Sequence, residues 1–253
     1  MTFIGIDPTA GQKPYTYVAL DEEKALLALG QGTMEDVLAF VAGQEAAFVA
    51  VNAPRGPNRG IMAQDEIRQQ LTPQPRPGRW MEYRLAEYLL RQHHIGVMPT
   101  PSDEKLCPNW VQSGFAVYKH LDALGFMPFP GGERPLQSLE VHPHASFCAL
   151  LGQIPFQKES LEGRLQRQLI LRDLGLRIPD AMMFFEEVTR HRLLKGILPL
   201  KDIYTAVELD ALVAAYTAWL AAAQPGAVIS LGDPIEGKIT LPVAELKYQY
   251  SNS

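Results

Sequence analysis

The chain has 253 residues, two cysteines and a formal charge of −5 at pH 7. Two cysteines are too few for a disulfide framework or for the paired ligands of a zinc finger. The negative charge argues against a protein that holds long duplexes through phosphate contacts. No apolar run reaches the roughly 20 residues that span a bilayer. We therefore expect a cytoplasmic protein without a membrane partner, folded as one domain over residues 1–253.

The first fifty residues predict three strands, a helix and a fourth strand. The helix is bounded by Thr33, which forms a capping-box pattern with Asp36. A helical crossover makes the fourth strand parallel to an earlier one, and we expect it beside the first strand. The predicted strands span residues 2–7, 15–21, 24–31 and 46–54.

The rest of the chain predicts one long loop followed by a mainly helical half. Residues 53–80 are rich in proline, arginine and glycine, and loops of this length are commonly functional. A late strand is expected over 138–147 and a final hairpin around 233–237. The predicted class is α/β, a mixed sheet flanked by helices, with a helical insertion before the last helix. The predicted helices span 81–94, 109–125, 159–175, 181–196 and 207–223.

Four polar residues occupy comparable places in this arrangement. Asp7 ends the first strand before Pro8, and Asn52 ends the fourth strand. Glu140 lies in the late strand, and Asp210 lies early in the last long helix. If the first and fourth strands are parallel neighbours, Asp7 and Asn52 meet at the carboxyl edge of the sheet. Ligands of open α/β sheets bind at that edge.

Crowded carboxylates repel one another unless a cation lies between them. Mg²⁺ and Mn²⁺ take oxygen ligands and leave room for a substrate phosphate, and a pair of such ions about 4 Å apart can drive phosphodiester hydrolysis. We therefore predict Asp7, Glu140 and Asp210 as metal ligands, with Asn52 as a fourth catalytic residue. Each acid also has an ordinary interpretation: a turn residue, a solvated strand residue and a helix-start residue, respectively.

Basic residues near the late strand could hold the substrate. Lys158, Arg164 and Arg167 lie on or just before one predicted helix, and the two arginines share a face because they are three residues apart. His142 could orient water or substrate, although a hydrogen-bonded structural histidine is the ordinary alternative.

Several segments together resemble a known family: FIGIDPTAG, VAVNAPRGPN, LEVHPHASF, LEGRLQRQL, ELDALVAAYTAW and LGDPIEG. They resemble the family called domain of unknown function 429, which is described as a predicted nuclease with a ribonuclease H-like fold. The resemblance implies an Mg²⁺- or Mn²⁺-dependent hydrolase of nucleic acid, with Asp7, Glu140 and Asp210 as its acids.

The resemblance also exposes a departure at position 52. Similar sequences often carry aspartate there, whereas Asn52 supplies an amide oxygen without charge. Asp233 or Glu236 of the closing GDPIEG segment could supply the missing charge, and a plain hairpin turn is the alternative.

Two other functions fit the same residues. A catalytically weakened protein of this fold would bind nucleic acid or a nucleotide, as Asn52 and the acidic charge favour. A phosphotransferase of the actin and sugar-kinase kind would use GIDPTAG as a phosphate loop, but the chain has no matching second half. The sequence leaves open the choice among DNA, RNA and a small nucleotide, and also the oligomeric state.

Overall fold

A computed structural model describes residues 1–9, 13–76 and 78–251. These residues form an eight-stranded mixed sheet with helices on both faces, so the predicted α/β class is confirmed. The strands are β1 (Thr2–Asp7), β2 (Tyr15–Leu20), β3 (Leu26–Gly32), β4 (Ala47–Val51), β5 (Met127–Pro128), β6 (Leu136–Glu140), β7 (Ile229–Asp233) and β8 (Gly237–Leu241). The helices are α1 (Met34–Ala42), α2 (Asp65–Gln70), α3 (Leu85–Gln92), α4 (Asn109–Ala123), α5 (Pro143–Leu151), α6 (Leu161–Asp173), α7 (Met183–Glu187), α8 (Arg190–Leu194) and α9 (Ala206–Ala223).

The strand order is β3-β2-β1-β4-β6-β8-β7, with the short β5 also paired to β6. β1, β2 and β3 form an antiparallel meander, and β4 runs parallel to both β1 and β6. The expected place of the fourth strand beside the first is therefore confirmed. The capping box of Thr33 and Asp36 at the start of α1 is present as well.

Helix α9 is the centre of the larger core. It packs across β1, β2 and β4, and its apolar side chains join those of α5 and α6 on the same sheet face. α1 and α4 cover the opposite face. α9 is long and apolar enough to cross a membrane, but 72% of it is buried inside the protein. It is a core helix.

Gly5 explains how closely α9 approaches the sheet. A Cβ atom at Gly5 would lie 2.0 Å from the carbonyl oxygen of Ala211 and 2.5 Å from the amide nitrogen of Ala215. Only glycine leaves room for this contact between two backbones. The contact sets Asp210 beside the carboxyl end of β1.

The strand predicted over 138–147 is wrong in its second half. β6 ends at Glu140 and α5 begins at Pro143. The backbone N–H of Ala145 donates to the side chain of His142, which therefore caps α5. Proline suits the first position of a helix because its missing N–H is unpaired there anyway.

Other boundaries also differ from the predicted ones. The segment 53–80 contains a 3₁₀ turn over Ile61–Ala63 and helix α2, so it is not a plain loop. α3 begins four residues later than predicted, because the chain reaches helical conformation only after Arg84. The helix predicted over 181–196 is divided between α7 and α8.

Candidate functional site

One cavity at the carboxyl edge of β1 and β4 gathers most of the predicted site. Its volume is about 790 Å³. Asp7 and Asn52 lie at the ends of β1 and β4, and His142 lies just before α5. Lys158 precedes α6, Arg167 lies in α6, and Asp210 lies in α9. The predicted site residues that line it are Asp7, Asn52, His142, Lys158, Arg167 and Asp210.

Asp7 is buried in this cavity and is held by the residue that directly follows β4. The Nδ2 group of Asn52 donates to Asp7 Oδ2 at 3.0 Å. Burial, and then the nearby Asp210, raise the pKa of Asp7 to about 7, while Asn52 and Lys158 oppose the shift. Asp7 therefore gains and loses a proton near neutral pH.

Asp210 is the second buried carboxyl group of the cavity. Lys158 Nζ donates to Asp210 Oδ2 at 2.9 Å. Burial raises the pKa of Asp210, against the opposing charges of Lys158 and Arg167. Burial also disfavours the charged form of Lys158, but Asp210 and Asp7 hold its pKa above the usual value. The lysine ammonium is thus the positive charge that faces the two carboxyl groups.

Arg167 brings a second positive charge to the cavity, and some of its N–H groups are held by backbone carbonyl oxygens. Its Nη1 group donates to the carbonyl oxygens of Phe156 at 2.8 Å and of Gly163 at 2.9 Å. The side chain is 2% exposed, and its Nε has no hydrogen-bond partner among the described residues. The Nε atom is enclosed by protein, so the guanidinium contributes mainly its positive charge to the cavity.

The two histidines of the cavity are neutral at pH 7. His142 Nδ1 accepts from the Ala145 N–H at 3.2 Å, so its proton is on Nε2. Burial, then the neighbouring His144, lower the pKa of His142 to about 4. Burial and Arg167 also lower the pKa of His144. His142 thus presents an N–H donor rather than a positive charge.

Glu140 lies outside this group, although the sequence places it there. Both of its oxygens accept from the buried Arg84, at 2.5 Å and 3.0 Å, and one also accepts from the Arg55 N–H at 2.8 Å. It lines a second cavity of about 420 Å³. The structure therefore brings together Asp7, Asn52 and Asp210, whereas Glu140 forms an ion pair with Arg84.

Arg164 also lies outside the lining of the Asp7 cavity. Its guanidinium donates to the carbonyl oxygens of Tyr204 at 2.7 Å and Ile203 at 2.8 Å. These bonds hold the segment that leads into α9. The Arg164 side chain therefore supports the backbone around the site.

The two extra acids of the closing hairpin have structural partners. Glu236 is buried, and its carboxylate accepts from the backbone N–H groups of Arg59, Ile61 and Leu85 at 2.8, 3.1 and 3.0 Å. Asp233 accepts from the Ile235 N–H at 2.8 Å within the turn. Neither acid lines the Asp7 cavity, so neither supplies the charge that is missing at position 52.

The oxygen-bearing side chains of the cavity are of the kind that Mg²⁺ and Mn²⁺ bind. Among the described residues, no group of three His, Cys, Asp or Glu side chains is placed to hold a metal. Mg²⁺, however, is commonly held by one or two carboxylates together with waters and substrate phosphates. Asp7 and Asp210 supply two carboxylates, and Asn52 Oδ1 supplies a neutral oxygen. This set does not form a protein cage for two ions.

Sequence reasoning missed Arg84, Glu87 and Trp110. Arg84 and Glu87 are buried and paired, with Nε donating to Oε1 at 2.8 Å. Trp110 lines both the Asp7 cavity and the second cavity. No local pattern marks Arg84, because its partner Glu140 is 56 residues away along the chain. The phosphate loop of the phosphotransferase alternative, GIDPTAG, includes residues 10 and 11, which lie outside the described residues.

The family resemblance is confirmed by comparison with family models. A model described as "Protein of unknown function (DUF429)" matches residues 5–236. Comparisons with curated proteins and with solved structures gave no match. The matched range includes both Asp7 and Asp210, and it covers most of the chain. The chain belongs to the family described as Protein of unknown function (DUF429).

Proposed function

We propose that the protein is a divalent-metal-dependent phosphodiesterase acting on nucleic acid, with a ribonuclease H-like fold. The fold proposal is supported by the β1–β3 meander, the parallel β4 beside β1 and the long helix α9 across them. The activity is supported by the pair of buried carboxyl groups on β1 and α9, which face two basic side chains in one cavity.

The observation that carries the proposal is the juxtaposition of Asp7 and Asp210. Each carboxyl group is buried, and burial, then the charge of Asp210, raise the pKa of Asp7. Two such groups are unfavourable neighbours when both are ionised. A bound cation removes that penalty, so the arrangement is suited to Mg²⁺ or Mn²⁺.

Asp7 and Asp210 would hold the ion, with Asn52 Oδ1 as a neutral ligand. A bound Mg²⁺ or Mn²⁺ supplies Lewis-acid stabilisation of the phosphoryl group and an acidified water. Lys158 and Arg167 both line the cavity and offer positive charge to phosphate oxygens. His142 Nε2–H offers a further neutral donor. Such side chains stabilise a transition state mainly because their charges and dipoles are already oriented before the reaction.

The experiment is a cleavage assay with purified protein, Mn²⁺ or Mg²⁺, and a panel of DNA, RNA and small phosphodiester substrates. We expect Asp7→Asn and Asp210→Asn each to lower the rate by about 100-fold or more. Asp173→Asn is the matched control, since Asp173 is exposed at the end of α6. Wild-type protein that leaves the whole panel intact with Mn²⁺ would contradict the proposal.

A second function, a metal-free binding protein, is favoured by one specific observation. Asn52 and Lys158 already donate to Asp7 and Asp210, so both carboxyl groups have protein partners. Calorimetry separates the two functions. The phosphodiesterase binds Mn²⁺ in the wild type and loses that binding in Asp7→Asn, whereas the binding protein shows no Mn²⁺ heat at millimolar concentration.

A further inference from the structure

The Asp7 cavity continues into the second cavity. The two share Asn52, Gly96, Trp110 and His142 as lining residues. The walls of the second cavity are mostly apolar and include the half-buried Trp110. Its volume of about 420 Å³ lies in the range of small-molecule pockets. A flat apolar group joined to a phosphate at the Asp7 cavity would therefore find room here.

A third cavity, of about 470 Å³, adjoins the second through Arg91, which lines both. Arg76, Arg79 and Trp80 also line it, as does Tyr248, which is 89% exposed. None of the described residues that line this cavity is acidic. The protein as a whole carries a charge of −5, so this is a local concentration of positive charge.

Arginine and aromatic side chains lie close together in this third cavity. The guanidinium carbon of Arg79 lies 5.1 Å from the centre of the Trp80 ring, and the Trp80 and Tyr88 ring centres, both in the cavity lining, are 5.4 Å apart. Proteins that bind single-stranded nucleic acid combine positive charge for the backbone with aromatic rings on which bases stack. The arginine and tryptophan side chains of the third cavity supply positive charge and aromatic rings of this kind.

We propose that the three cavities form a path for one strand of nucleic acid. The reacting phosphodiester lies at Asp7 and Asp210, an adjoining base occupies the Trp110 cavity, and further nucleotides run past Arg91 to Arg76 and Arg79. The position of the reacting group rests on the proposed function. The path itself rests on the shared lining residues. A duplex would need a broad basic face, which the acidic chain does not favour.

The test measures binding of a labelled 12-nucleotide single strand by fluorescence anisotropy. It uses the full-length Asp7→Asn protein in EDTA, so that cleavage and metal binding do not contribute. Single-stranded DNA and RNA are compared with a blunt duplex and with a nucleoside monophosphate as competitor. We expect the single strand to bind at least about tenfold more tightly than the duplex, and the monophosphate to compete only weakly.

The arginine contacts are tested with Arg76→Ala/Arg79→Ala against Arg134→Ala/Arg190→Ala. Arg134 and Arg190 are also exposed but lie outside all three cavities. Each lost phosphate contact on a single strand lowers the slope of log K against log salt by about 0.7. We therefore expect a loss of about 1.4 in slope for the first double variant and no change for the control.

Trp80 is tested with a leucine and a phenylalanine variant, whose melting temperatures report folding. Loss of a stacked base costs at least about fivefold in affinity, so Trp80→Leu should weaken binding and Trp80→Phe should restore most of it. The path is overturned if no strand binds, if the duplex binds as well as the single strand, or if the arginine variants match their control.

The outcome separates the path from the proposed function. Strand binding that depends on Arg76 and Arg79, without cleavage by the wild type in Mn²⁺, would reject the phosphodiesterase and keep the path. Metal-dependent cleavage that is unchanged in Arg76→Ala/Arg79→Ala, together with unchanged binding, would reject the path and keep the phosphodiesterase.

Discussion

Asp7 illustrates how a residue of the proposed site can lower the stability of the folded protein. Its carboxyl group is 8% exposed, and its pKa lies near 7 instead of the usual 3.8. Between these two values the folded protein binds a proton that the unfolded chain has released. The stability that depends on Asp7 therefore falls as the pH rises from about 4 to about 7.

We expect Asp7→Asn to become more stable relative to the wild type over that pH interval. The asparagine cannot ionise, so the variant avoids a penalty of roughly 4 kcal/mol at most. The measurement is the free energy of unfolding in urea at pH 4.5, 6 and 8 for both proteins. A difference between the two that does not grow with pH would contradict the raised pKa.

The comparison between variant and wild type is needed because His142 acts in the opposite sense. Its pKa is lowered from 6.5 to about 4, so the unfolded chain binds the extra proton over that interval. The stability that depends on His142 therefore rises with pH where that of Asp7 falls. The wild-type curve alone mixes both effects, and the difference between wild type and Asp7→Asn isolates Asp7.

For individual residues, the sequence predicts where a side chain lies in the sheet better than which side chain it contacts. Asp7 and Asn52 could be placed together because parallel neighbouring strands end at the same edge of a sheet. The partner of Glu140 could not be predicted in this way. Arg84 follows an irregular segment and reaches Glu140 only through the folded chain, and side-chain periodicity carries no information about such a pair.

At the level of elements, the contact of α9 with β1 decides whether the cavity forms. Gly5 is the position at which the two backbones meet, with the Ala211 carbonyl directly above it. The Thr-x-x-Glu pattern at Thr205 forms a capping box with Glu208 that fixes the start of α9. The second carboxyl group of the site is therefore placed by backbone packing more than by its own contacts.

We expect Gly5→Ala to destabilise the protein by about 3 kcal/mol, because its Cβ atom would overlap the backbone of α9. The urea midpoint of unfolding measures this change. Gly226→Ala is the control, since a Cβ atom there meets nothing within 4 Å. If the two variants unfold at the same urea concentration, α9 does not lie on β1 as described.

Elements with recognisable ends are predicted well from the sequence, and those that begin with ambiguous signals are not. α9 is a long, almost uniformly apolar segment that is buried on most sides, and the strands of the β1–β3 meander are separated by short turns. α5 was missed because Leu139 and Val141 continue the alternation of β6 up to the helix. The proline at position 143 is a usable signal for a helix start, whereas the predicted strand runs through it to residue 147.

At the level of the whole molecule, a buried polar network joins segments that the sheet holds only weakly. β8 meets β6 through the single pair Glu140 and Ile239. Arg84 adds hydrogen bonds to Glu140, to Glu87 and to the carbonyl oxygen of Glu236 at 2.9 Å. The network therefore ties the final hairpin to the sheet and to α3.

We expect Arg84→Met to lower the free energy of unfolding by about 3 to 5 kcal/mol, because it leaves Glu87 and Glu140 buried without their cation. Urea unfolding followed by circular dichroism measures the loss. Arg134→Met, at an exposed position, is the control. Adding Glu87→Gln and Glu140→Gln should recover part of the loss, and no recovery would show that lost packing, not unpaired charge, causes it.

The contact between α9 and β1 also has a consequence in time. The two carboxyl groups of the site are separated by almost the whole chain, since one is residue 7 and the other residue 210. During synthesis the first strand leaves the ribosome long before its partner helix exists. A nascent chain therefore carries no assembled site until α9 has been made and has docked, so the proposed cleavage activity requires synthesis through residue 223.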